Sequence, residues 1–342
     1  MKVLYLSCHS ILEYDELKLF HELGVDIFSH GAYIDPQNPG DATRPSLDYS
    51  VDPILMELAK QNPDKACLSK DLLDKFDVVF FMWKPEWIKS NIENLKNKMC
   101  ILRTIGQSTK YNEIQIREFK KILGNRLKIV RYSPLERTIP VFAGEDALIR
   151  FYKDPEELKD WNGKNNIVIT IAQSFKRRSQ FCGTEIFLAS TDGLPRKVYG
   201  KDNQDLGEMA ESNITYERLK QVLRDSRVFF YTGTYPASYT LGFIEAFMTG
   251  VPIVALGYRE GNCSWLPDQC TYEIPFIIRN GENGFWGDYP KILREEIIYL
   301  LNNVEKAKEI GEAGRQTAIE LFGKEKIKKE WEEFWKDVEE EL

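Results

Sequence analysis

The chain has 342 residues, of which 43% are hydrophobic and 29% charged, a length that suits two domains of roughly 150 residues and a composition ordinary for a globular protein in water. Its net charge of −7 speaks against a general nucleic-acid binder, whose surface is usually basic. No apolar run approaches the roughly 20 residues needed to cross a bilayer.

The N-terminal MKVLYLSCHS lacks a cleavage pattern and reads as a first strand, Lys2 to Ser7. A helix over Leu12–Leu23 follows, closed by Gly24, and then a strand over Val25–Ser29. From His30 to Asn62 the chain is rich in Pro, Asn, Asp and Gly, with one helical patch at Pro53–Ala59. An excursion that long inside a compact domain is often functional. Asp77–Trp83 is a plain buried strand, followed by a helix from Glu86 and a strand over Met99–Thr104. After the turn Ile105–Thr109 come a helix over Tyr111–Leu123 and a strand over Leu127–Tyr132. Such alternation predicts a parallel sheet with helices on both faces.

The polar segment Phe151–Lys164, with Pro155 and Gly163, has the composition of a linker, and its Asp154–Gly163 portion that of a hinge. The pattern then restarts with strands at Asn166–Ala172 and Pro195–Tyr199 and a helix at Tyr216–Asp225. Val228–Tyr231 is a further buried strand, and Gly233, Pro236 and Ser238 mark a loop at its carboxyl end, where open α/β sheets bind ligands. A helix over Thr240–Met248 ends at Gly250 and Pro252, beside a strand over Val251–Leu256. Phe276–Ile278 reads as a short strand before the turn-rich NGENGFWGD, and three helical segments close the chain. In the last of these, Ile327, Trp331, Phe334, Trp335 and Val338 share one face, which must dock on the first domain or on a second copy.

Glu245 is the single charge between Leu241 and Leu256. It either lies on a thin solvent-facing stripe or is buried with a partner, because a lone buried carboxylate costs several kcal/mol. The run TLGFIEAFMTGVPIVA around it resembles the signature of retaining nucleotide-sugar glycosyltransferases of family four, which have the GT-B fold. The resemblance covers roughly Asn166–Phe322 and is thin before that. It implies an α/β protein with two Rossmann-like domains facing a cleft: 1–155 on the acceptor side, 165–322 for the nucleotide sugar. The terminal helix 323–342 is then expected to cross back onto the first domain.

The same resemblance assigns roles. Glu245 is expected to bind the nucleotide ribose, and the amides of Thr240, Leu241 and Gly242, with Ser238 and Tyr239 beside them, the diphosphate. Relatives carry an Arg and a Lys after the first strand of the second domain. Here Gln173 falls near the Arg position and Lys176, Arg177 and Arg178 follow, so the match is by region, and a solvated basic turn is the competing reading. Relatives also place a Glu eight residues before the one matching Glu245, where this chain has Ala237, and a His beside the donor sugar, whereas the three His here are 9, 21 and 30. Arg103, Thr104 and Gln107, at the end of the strand Met99–Thr104, are the polar groups expected to serve catalysis in that region. Ser108 or Thr109 there doubles as a helix cap. His9, after the first strand, contacts an acceptor or is simply structural; Trp83, Trp87 and Tyr33 stack on a sugar or fill the core. NGENGFW resembles the family's turn before the terminal helices.

There is no dinucleotide fingerprint, no phosphate loop of the GKS/GKT type, no D-x-D pair and no zinc spacing among the three His. These absences lead to the expectation of a metal-independent enzyme; the resemblance implies that it is a retaining hexosyltransferase with no cofactor beyond its nucleotide-diphosphate-sugar donor. Its acceptor is a glycan, a lipid-linked or a small molecule, with peripheral membrane contact open and no nucleic-acid partner. A catalytically silent nucleotide-sugar-binding subunit and a nucleotide-sugar epimerase are the alternatives. Six Cys without C-x-x-C spacing suit reduced thiols and a cytoplasmic location, Cys263 and Cys270 included.

Overall fold

The structure, a computed structural model, describes every residue except Ala42 and Cys263, so the Cys263–Cys270 pair lies outside the described residues. It divides into two compact units, Met1–Phe151 with Ile327–Leu342, and Tyr152–Lys326.

In the first unit, strands β1 (Lys2–Leu6), β2 (Asp26–His30), β3 (Val78–Met82), β4 (Met99–Arg103), β5 (Leu127–Arg131) and β6 (Ala147–Leu148) form a parallel sheet in the order β2-β1-β3-β4-β5-β6. Every residue of β3 and β4 is buried, as expected of strands covered on both faces. Strand alternation sorts them: Val79 and Phe81 join Leu4, Leu6 and Leu102 in one core, while Tyr5 and Phe80 stack together on the other face with rings 4.8 Å apart. The helix Lys324–Glu340 serves that second face. All five residues of its apolar side are buried, and Trp331 and Trp335 meet Phe20 edge-on at 4.8 and 5.3 Å.

In the second unit, β7 (Asn165–Ile171), β8 (Arg196–Gly200), β9 (Ala210–Ser212), β10 (Ser226–Tyr231), β11 (Ile253–Leu256) and β12 (Phe285–Gly287) form another parallel sheet, in the order β12-β11-β10-β7-β8-β9. The chain winds outward from β7 in one direction and then from β10 in the other. The point where its direction reverses therefore lies between those two neighbouring strands, and their carboxyl-terminal loops share a crevice.

Two expectations need correction. Phe276–Ile278 is not a strand: Ile274–Ile277 is a helical turn with Pro275 in its first positions, and the strand comes later, at β12, inside the stretch expected to be turn. A three-residue apolar run is compatible with either state, and Pro275 suits a helix start. Nor is Asp154–Gly163 a loose hinge. Trp161 Nε1 donates to the Ser226 carbonyl at 2.8 Å, Asn162 Nδ2 to Asp225 at 3.0 Å, and Arg315 Nη2 to the Pro155 carbonyl at 2.7 Å, so the segment is tied along its length into the second unit.

The helix after β10, Leu241–Thr249, is locked at its far end. Gly250 caps it in the left-handed region at φ 88°, and the helix Val304–Phe322 packs so closely there that a Cβ on Gly311 would overlap the Gly250 carbonyl oxygen. Gly311→Ala must push these backbones apart and should destabilise by ~1–3 kcal/mol. Urea unfolding of the full chain checks this, and an unchanged midpoint would show that the two helices can slide without loss.

Candidate functional site

The loop after β7 is built on a residue that the sequence did not single out. Asn203 is fully buried; its Oδ1 accepts from the Phe175 amide at 2.7 Å and its Nδ2 donates to the Ala172 carbonyl at 2.7 Å. One side chain thus pins the loops after β7 and β8 together. Gly200 completes the join, since a Cβ there would overlap the Ala172 carbonyl oxygen. On this base stand the cations. Lys176 and Arg177 are exposed and Arg178 half-buried, with Arg177 Nη2 donating to the Asp202 carbonyl at 3.1 Å and Arg178 Nη1 to the Gln173 carbonyl at 3.4 Å. Among the described residues none of the three has a carboxylate within 4 Å. Gln173 itself is exposed.

The loop after β10 meets them. Thr232 Oγ1 donates to the Cys182 carbonyl at 2.6 Å and the Tyr235 amide to the Phe181 carbonyl at 2.8 Å, which joins this loop to the short helix that the basic turn leads into. Ala237 is half-buried, Ser238 and Tyr239 are buried, and the Ser238 carbonyl accepts from the Glu273 amide at 3.1 Å. Tyr239 packs on Phe322 rather than lining the loop's outer side. Thr240 is the N-cap residue of Leu241–Thr249 in extended conformation, yet no side chain caps that helix and its first turn holds no acid. The amides of Leu241 and Gly242 are therefore open to an anion at the positive end of the helix dipole. Gly242 sits against Ile171, the last residue of β7: a Cβ there would lie 3.5 Å from the Ile171 Cβ. The crevice thus brings together the basic turn and the uncapped helix.

Glu245 is not on a solvent stripe. It is 2% exposed, and its Oε1 lies 2.7 Å from the Nζ of Lys153, which is equally buried. Lys153 is held by its own backbone, whose amide donates to the Phe322 carbonyl at 3.0 Å and which bridges to Gly323. The partner demanded by a buried carboxylate is thus a lysine from the segment read as linker.

In the first unit the three polar groups expected to serve catalysis are separated by burial. Arg103 is wholly enclosed: Nε donates to Glu16 at 3.0 Å, Nη1 to the Arg131 carbonyl at 3.2 Å and the Ile149 carbonyl at 2.5 Å, and Nη2 to the Arg150 carbonyl at 3.3 Å. Thr104 is also enclosed and donates to Glu136 Oε2 at 2.8 Å, while Ser108 donates to Glu136 Oε1 at 3.2 Å. Burial raises the Glu136 carboxyl pKa, and the Arg131 charge and the Thr104 hydroxyl oppose it. The reading of Arg103 and Thr104 as groups open to a substrate is corrected by this enclosure; Gln107 alone of the three is exposed. His9 caps the helix Ser10–Glu22, its Nδ1 accepting from the Leu12 amide at 3.3 Å. Tyr33 is fully buried, with its hydroxyl on the Pro45 carbonyl at 2.8 Å, and Trp83 is buried too, whereas Trp87 is half-buried. In the NGENGFW turn, the buried Asn283 donates to the Ile277 carbonyl at 3.2 Å, a structural link.

Comparison with solved structures decides the architecture. A sucrose-phosphate synthase from Thermosynechococcus elongatus superimposes with a TM-score of 0.68 at 13% identity, covering 100% of both chains. The fold is GT-B. A glycosyltransferase from Rickettsia africae matches with a TM-score of 0.67 at 13% identity over 98% of each chain. Anabaena HepE, solved in complex with UDP and glucose, matches with a TM-score of 0.63 at 13% identity over 98% of this chain and 99% of that one. No model of a known protein family matches the sequence, and no curated protein matches it. At these identities the likeness establishes the fold. Among the described residues no helix is long and apolar enough to cross a membrane, and no group of three or more His, Cys, Asp or Glu is placed to hold a metal ion.

Proposed function

We propose that this protein is a glycosyltransferase that moves a sugar from a nucleotide-diphosphate sugar to an acceptor, with retention and without a metal ion. The observation that carries the reading is three cations that have no carboxylate partner among the described residues, beside a helix N-terminus that no described side chain caps, at the reversal point of a Rossmann-ordered sheet. That arrangement suits a diphosphate, first as part of the donor and then as leaving group, whose developing charge Lys176, Arg177, Arg178 and the amides of Leu241 and Gly242 would stabilise. HepE, of the same fold, was crystallised with UDP-glucose, which supports a nucleotide-sugar donor here. The acceptor would be a glycan, a lipid-linked or a small molecule.

The test is release of free nucleoside diphosphate from a panel of nucleotide sugars in excess chelator. Turnover should persist, and replacing Lys176, Arg177 and Arg178 together by Ala should weaken nucleotide binding at least tenfold, the loss of about one charge-assisted contact. Activity that chelation abolishes and magnesium or manganese restores would overturn the metal-free mechanism. Ala237, in place of the family's sugar-contacting Glu, favours one second reading, a silent nucleotide-sugar-binding subunit. It predicts a nucleotide-dependent rise in thermal stability with no diphosphate release from any donor.

A further inference from the structure

The first unit has its own reversal point, between β1 and β3, because the chain goes from β1 outward to β2 and returns to the other side at β3. The groups at the carboxyl ends of these two strands include two lysines. Lys65 is half-buried; its Nζ donates to the Ser7 carbonyl at 2.8 Å, just beyond β1, and stands 5.1 Å over the ring of Trp87. Lys84 follows β3 directly. It and Trp83 hold consecutive left-handed conformations, at φ 64° and 57°, before the helix Pro85–Leu95. Cys8 ties these two strand ends together: its Sγ–H donates to the carbonyl of Met82, the last residue of β3, at 3.2 Å, so the segment that follows β1 and holds the Lys65 ammonium adjoins the one that carries Lys84.

Neither lysine has a carboxylate within 4 Å among the described residues. Glu13, the nearest buried acid, is committed to the Ser29 hydroxyl at 2.7 Å and to the amides of Tyr33 and Ala32 at 2.8 and 3.0 Å. Glu86 is exposed and pairs with neither. Partial burial lowers the Lys65 pKa; the Glu13 charge opposes this without forming an ion pair, so the ammonium has lost water and has no bonded carboxylate.

We propose that Lys65 and Lys84 bind a phosphomonoester, and that the acceptor of this enzyme is a phosphorylated small molecule whose apolar ring edge lies along Trp87. Two unpaired cations match the charge of about −1.5 to −2 that a phosphomonoester carries at neutral pH, whereas a carboxylate would leave one of them unbalanced. The half-buried indole supplies a flat apolar wall of the kind sugars rest on. The word "acceptor" rests on the glycosyltransferase reading; the phosphate site does not.

The experiment is titration of the full chain by calorimetry with glucose 6-phosphate, glucose and inorganic phosphate. The wild type should bind glucose 6-phosphate at least tenfold more tightly than glucose, with inorganic phosphate competing. Lys84→Met, at an exposed position where folding is not at stake, should erase that preference, and Lys65→Met should do the same. Lys84→Arg should keep it. Lys89→Met, an exposed lysine of the same helix, and Lys176→Ala, in the other unit, should leave it unchanged. A wild type that does not distinguish the ester from the free sugar overturns the proposal, as does a Lys84→Met protein that binds the ester like wild type. Nucleotide binding, measured in parallel, separates the two readings. If nucleotide binds and the ester preference is absent, this inference fails alone. If the preference depends on Lys84 and no nucleotide binds, the phosphate site stands and the transferase reading falls.

Discussion

Arg103→Met should destabilise the first unit by ~3–5 kcal/mol, the usual loss when one member of a buried ion pair is removed. The guanidinium touches no solvent, donates to Glu16 and three backbone carbonyls, and lies 5.1 Å from the ring of Phe151 and 5.3 Å from that of Trp331. Methionine fills much of the space and answers none of those acceptors. The damage centres on Glu16, which would keep only the Tyr5 hydroxyl at 2.6 Å. Its carboxyl pKa is already raised by burial, with Arg103 the chief force holding it down. In the variant the folded-state pKa rises further above the unfolded value. Stability carried by the protonated form is present below the unfolded pKa of about 4.3 and lost as pH rises through the folded one. The deficit against wild type should therefore be largest at neutral pH and shrink toward pH 4. Urea unfolding across that range, with Glu16→Gln added to Arg103→Met as the repaired form, is the measurement. A variant as stable as wild type that has lost turnover would restore Arg103 to catalysis.

The contrast between Arg103 and Lys176 shows what a sequence discloses. Basic residues after a strand in a polar turn, such as Lys176 to Arg178, stay where local pattern puts them, because a turn at a strand's end is solvated whatever surrounds it. Arg103 closes a strand that is otherwise apolar, Met99–Arg103, and Arg131 closes one whose other charged residue is the half-buried Lys128, Leu127–Arg131; an arginine at the end of such a strand hints at burial. Their partners are invisible locally. Glu16 is 87 residues from Arg103, and Glu113 reaches Arg131 with bonds of 2.7 and 2.8 Å across a helix-to-strand packing that only the tertiary fold creates. The same limit hid Lys153, one of three lysines in a segment whose polarity reads as linker, and Asn203, whose task is to tie two loops. The terminal helix was legible because five apolar side chains at helical spacing have no stable alternative to burial. The strand at Phe285–Gly287 was not, since three residues at a sheet edge carry no period and the flanking glycines suggest a turn.

Glu245→Gln should cost ~3–5 kcal/mol of stability, because Lys153 would remain charged, buried and without its carboxylate. Lys153→Met should cost a similar amount for the mirror-image reason. Combining Lys153→Met with Glu245→Leu removes both charges, and apolar replacement of a buried pair is often neutral, so the double variant should recover most of the loss. That recovery makes the nucleotide question answerable, since a single substitution confounds folding with binding. If the proposed ribose contact exists, the stable double variant should bind nucleoside diphosphate at least tenfold more weakly than wild type, the loss of a charge-assisted hydrogen bond of about 1.5–3 kcal/mol. If Glu245 serves only to hold Lys153, the double variant should bind nucleotide like wild type. Calorimetric titration of the double variant, after urea unfolding has shown it to be as stable as wild type, decides between them. Equal affinity would move the ribose contact off Glu245 while leaving the diphosphate assignment to Lys176, Arg177, Arg178 and the amides of Leu241 and Gly242 untouched.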